Sequence, residues 1–73
     1  MVQLETKINN EWYPVVRFDT AHGFSHQDFY HRNGQVDKIP LGINDYNTAM
    51  TFAENELKKN WEIYISRFIK EAG

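Results

Sequence analysis

The hydrophobic period of this chain changes once, near Gly42, and that change limits the fold more than any other feature. Before it, apolar residues alternate with polar ones, as they do along a half-buried strand. After it, they recur at steps of three and four, as on one face of a helix. A chain of 73 residues with no linker, repeat or low-complexity segment is expected to form one domain, residues 1–73. The expected class is α+β: a four-stranded antiparallel meander, β-β-β-β-α, with one long C-terminal helix packed on one face.

Residues 2–8 form the first strand, with Val2, Leu4, Thr6 and Ile8 on one face. Residues 12–19 return as the second. A three-residue loop, Asn9-Asn10-Glu11, sets Ile8 against Trp12, Leu4 against Val16 and Val2 against Phe18. That register stacks apolar on apolar and places Trp12, Val16 and Phe18 against the helix. Pro14 has no N–H, so it belongs away from a ladder or at a bulge. Residues 25–31 and 35–40 form the third and fourth strands around Asn33-Gly34, a dipeptide favoured in two-residue type I′ turns. The helix is expected over residues 45–70, capped by Asn44 or Asp45. Its stripe is Tyr46, Ala49, Met50, Ala53, Leu57, Trp61, Tyr64, Ile65 and Phe68. Such a helix runs about 39 Å, whereas a seven-residue strand spans about 23 Å. Either the helix breaks near Asn60 or its last turns cover something else. Ile63 and Ile69 lie off the stripe, which fits a second apolar contact.

A core this small removes only about 60% of the unfolded surface from water. Small folds commonly add a disulfide, a metal or a partner chain. With no cysteine, disulfides and thiolate sites are excluded. Two Trp, four Tyr and five Phe strengthen the core. The overhanging helix and the small core point to a homo-oligomer, a homodimer in the simplest case, or to a protein partner. The net charge of −2, with no basic cluster, argues against general nucleic-acid binding. No apolar run approaches a membrane span, and the first residues lack signal-peptide order. The expected location is cytoplasmic.

Candidate chemistry is confined to residues 17–31, which hold all three histidines. Arg17, Asp19, His22 and His26 are the candidate catalytic residues; Asp28 and His31 are candidate binding residues. Strand parity puts Arg17, Asp19, His26 and Asp28 on the face away from the helix and leaves His31 apart. Two imidazoles and an arginine suffice chemically for metal-independent RNA cleavage: a base, an acid and a cation for the phosphorane. In that scheme Asp19 orients one imidazole. His22 and His26 with Asp19 or Asp28 also make a two-His, one-carboxylate set. Gly23 and the flanking strand signals disfavour the helix that His-x-x-x-His needs, so no metal site and no cofactor is assigned. The plainest reading treats Thr20 to Gly23 as a stiff corner and the charges as exposed cross-strand pairs.

Trp12 to Phe24, with His26 and Asp28, resembles a family of short prokaryotic proteins of unknown function. Asn60-Trp61 and Tyr64 resemble the same family's second motif. The resemblance covers most of the chain and implies no activity. The spacing of Arg17, Phe18, Asp19, His22 and His26 is more distantly similar to TumE-type toxins of toxin–antitoxin pairs, which keep a tight His-x-His that this chain lacks. The reading adopted is a non-catalytic interaction or dimerisation module; its alternative is a toxin-like RNA-cleaving protein.

Overall fold

The structure, a computed structural model, describes residues 2–19 and 25–71. Four strands, β1 (Val2–Ile8), β2 (Glu11–Asp19), β3 (His26–Tyr30) and β4 (Val36–Pro40), precede one helix, α1 (Tyr46–Lys70). The strands pair antiparallel in the order β1-β2-β3-β4. This is the α+β meander that the change of period demands. Helix α1 lies over β1 and β2. Val15, Val16, Phe18, Ala53 and Phe68 form the buried core, with Val2, Leu4, Ile8, Phe29 and Leu57 packed around it. No helix among the described residues is long and apolar enough to cross a membrane.

Both turns depart from expectation, in opposite senses. The β1–β2 loop has two residues, since Ile8 pairs with Glu11 and both Asn9 (φ 52°) and Asn10 (φ 67°) are left-handed. That is type I′ geometry, which Asn tolerates. The expected partners Leu4–Val16 and Val2–Phe18 still meet, because the register shifts between Leu4 and Glu5 and leaves Val15 as a bulge on β2. Pro14 sits beside that bulge, outside the β2–β3 ladder, which begins at Val16. The bulge reverses parity for the start of β2. Trp12 therefore faces away from the helix and is 63% exposed, while Tyr13 takes the core side, 6.0 Å from the Phe68 ring.

Asn33-Gly34 does not make the two-residue turn. The His31 amide donates to the Gln35 carbonyl, and the Gly34 amide donates back to His31, so the loop has three residues with Gly34 left-handed. The three-residue loop puts Ile39 on the helix side and Lys38 opposite Asp28. A two-residue loop would have reversed those faces.

Helix α1 is unbroken at Asn60. The Asp45 carboxylate accepts from the Thr48 amide, and this holds its pKa below the usual value. Ala49, Ala53 and Phe68 are buried, while Tyr46 and Trp61 from the expected stripe are exposed. The small alanines let the axis approach the sheet closely, and Trp61 falls on the flank of the contact. The last turns reach β3 and the β3–β4 loop: Arg32 stacks on Tyr13 at 4.9 Å and on Phe68 at 5.5 Å, and Arg67 lies over Phe29 at 5.5 Å.

Candidate functional site

Strand register assembles most of the polar cluster on the face away from α1. Gln3 lies opposite Arg17, Arg17 opposite Asp28, and Asp28 opposite Lys38. In the next row Asp19 lies opposite His26. Arg17 Nε donates to Gln3 Oε1 at 3.0 Å. Asp28 is buried, although the residues beside it belong to a polar face. His26 Nε2 and Lys38 Nζ stand 3.6 and 3.7 Å from Asp28 Oδ1, which accepts no hydrogen bond. Lys38, just beyond hydrogen-bond reach, offsets part of the cost of burying that carboxylate. Arg17, Asp19, His26 and Asp28 thus share one face, as parity requires. His22 and the Thr20–Gly23 corner lie outside the described residues.

His31 is separate, as expected, and its surroundings form a second cluster. Its Nε2 is 2.7 Å from Asp37 Oδ2 and its Nδ1 is 2.9 Å from Glu71 Oε2. A neutral imidazole carries one N–H, so only the imidazolium donates to both carboxylates. The hydrogen bonds to Asp37 and then Glu71 hold the His31 pKa above its ordinary value. The bond from His31 keeps the Glu71 carboxyl below its own. The Arg32 amide donates to Glu71 Oε1 at 3.3 Å, and Arg67 lies 3.5 Å from the same carboxylate. A cavity of about 200 Å³ opens beside this cluster, lined by His31, Arg32, Asn33, Gln35 and Glu71. The cluster ties the end of α1 to the β3–β4 hairpin.

Sequence reasoning missed Lys38, Asp37 and Glu71. Lys38 and Asp37 were hidden by the turn length, because their faces follow from three loop residues rather than two. Glu71 stands 40 residues from His31, and no local spacing links them. Among the described residues, no group of three His, Asp or Glu could hold a metal ion.

These features define a small α+β domain with an open meander, one backing helix, a polar sheet face and an ion-pair latch at the helix end. The chain belongs to the family described as Domain of unknown function (DUF7718), which matches residues 1–73. No curated protein and no solved structure matches the chain.

Proposed function

We propose that the protein is a non-catalytic interaction module that acts as a homodimer or docks on a protein partner. One observation carries this reading: the backing helix covers only part of the sheet, and apolar side chains stay in water around it. All five residues of β4 are exposed, and Val36, Ile39, Trp61, Ile63 and Ile69 are exposed large apolar residues. Apolar surface around an incomplete layer marks a contact surface. A cytoplasmic setting suits a chain without cysteine. Sedimentation velocity between about 1 and 200 μM tests the reading, since weak assemblies dissociate at micromolar concentration. A rise in sedimentation coefficient with concentration, or co-sedimentation with a partner, is the expected result. A species that stays monomeric and binds nothing removes it.

A second reading rests on the direct pairing of Asp19 with His26, two residues along the strands from the Arg17–Asp28 pair. It makes the protein a toxin-like RNA-cleaving member of a toxin–antitoxin pair, with His22 and His26 as acid and base, Arg17 as the cation and Asp19 as the orienting carboxylate. Growth arrest on expression, lost in His26→Ala while the variant stays folded, favours this reading. Unchanged growth on expression of the wild type rejects it.

A further inference from the structure

We infer that the partner is a second copy of this chain, joined edge to edge through β1 in an antiparallel pair whose two-fold axis passes through Thr6. This rests on the self-association reading above and specifies its seam. Among the described residues, the sheet has two free edges, β1 and β4.

The β4 edge opposes pairing. Its sequence is Val36-Asp37-Lys38-Ile39-Pro40. The two-fold register that uses the whole strand sets Lys38 against Lys38 and Val36 against Pro40, which has no N–H to give. Lysine and proline on an edge are devices that keep a strand single. The β1 edge contains neither proline nor glycine, its one lysine, Lys7, can face Glu5 rather than itself, and the bulge near its middle lies on β2.

The hydrogen-bond phase of β1 follows from its turn. Residues flanking a two-residue hairpin loop exchange both hydrogen bonds, so Ile8 points its N–H and C=O at Glu11. Alternation turns Thr6 inward as well and leaves the N–H and C=O of Glu5 and Lys7 directed out of the sheet. Two copies related by an axis normal to the sheet must pair residues of the same face. Centred on Thr6, Glu5 meets Lys7 of the second copy twice, Thr6 meets Thr6, and Leu4 meets Ile8 twice. The outward-facing pairs, Glu5 with Lys7, are then the ones that hydrogen-bond, giving four bonds across the seam. Opposite charges, paired threonines and paired aliphatics are each favourable directly across strands. Centring on Glu5 or on Lys7 sets like charges together, and among centres on β1 only Thr6 joins Glu to Lys.

The helix supplies the second layer of the contact. Tyr64 and Arg67 reach Phe29 of β3, while Ala53 and Phe68 face the core. Helical spacing puts Trp61, Ile65 and Ile69, at every fourth residue, on the opposite flank, the side away from β3. Trp61 is 47% and Ile69 48% exposed. The two-fold brings this flank beside its own copy, over a continuous eight-stranded sheet.

The chain has no cysteine, so Thr6→Cys introduces a single thiol on the axis. Non-hydrogen-bonded cross-strand pairs stand about 4.5 Å apart at Cα, at the near end of the disulfide range of about 4.4–6.8 Å. Oxidised glutathione should give a covalent dimer of Thr6→Cys and not of Lys38→Cys. Glu5→Lys should raise the dimer dissociation constant about tenfold, and Glu5→Lys with Lys7→Glu should restore it. Both substituted side chains are exposed, so the fold is retained. A wild-type dimer in sedimentation that neither cross-links at Thr6→Cys nor weakens in Glu5→Lys overturns the β1 seam and leaves self-association standing. Cross-linking of Lys38→Cys moves the seam to β4 and also overturns it. A wild type that is monomeric throughout removes both claims.

Discussion

His31 shows how much of the tertiary structure rests on single side chains. Its imidazolium bridges β4 and the end of α1, so its protonation is linked to folding. The folded pKa of His31 lies above its ordinary 6.5, so its contribution is fully present below 6.5 and is lost as pH rises through the folded value. Glu71 lies below its ordinary 4.5, so its contribution is present above 4.5 and is lost as pH falls through the folded value. The latch is therefore complete between about pH 4.5 and 6.5, and melting temperature should decline above that window. In His31→Gln the decline above 6.5 should flatten. A wild type and variant with the same slope in thermal melts would show that the bridge contributes nothing. Phe68 is the other decisive residue, at 1% exposure beneath Arg32. Phe68→Ala should cost about 3–5 kcal/mol in urea unfolding, comparable to the whole stability of a domain this small. A loss under about 1 kcal/mol would mean that the helix end does not pack as described.

At the scale of elements, type and order were legible in the sequence, and turn length was not. Alternation before Gly42 and helical spacing after it located five elements to within a residue or two, and the partners Val2–Phe18 and Leu4–Val16 followed from apolar matching. Apolar matching could not see the bulge at Val15. A bulge lets a two-residue turn at one end coexist with the register a three-residue turn predicts at the other. The placement of Trp12 failed for that reason. Asn33-Gly34 misled because Gly34 serves equally in a three-residue loop, where only the last position needs positive φ. The site was legible to the same depth: parity grouped Arg17, Asp19, His26 and Asp28, while Lys38 depended on the turn and Glu71 on the tertiary packing of α1. The turn geometry is testable. Asn10→Val should destabilise by about 1–2 kcal/mol, because a β-branched residue resists the left-handed region. Asn33→Val keeps ordinary φ and should lose only the Asn33 side-chain bond to the Gln35 amide. Equal, small losses in both would contradict the assigned turns.

For the whole molecule, the governing fact is that one helix backs a four-stranded sheet unevenly. The helix sits over β1 and β2, reaches β3 through Tyr64 and Arg67, and leaves β4 uncovered. Unevenness of this kind divides the surface into parts with different roles. The β4 edge carries Pro40 and Lys38 opposite its own copy, the open face carries charge, and the β1 edge is self-complementary, with Glu5 and Lys7 beside aliphatic Leu4 and Ile8. Salt should weaken the dimer inferred through β1, since two exposed Glu5–Lys7 pairs flank its axis.

Amide hydrogen exchange along β1, followed as a function of protein concentration, probes the seam most directly. Thr6 and Ile8 donate within the hairpin and should be protected in monomer and dimer alike. Glu5 and Lys7 donate outward and should become protected only as concentration rises, alongside the change in sedimentation. Fast exchange of Glu5 and Lys7 at concentrations where the protein sediments as a dimer would contradict pairing through β1.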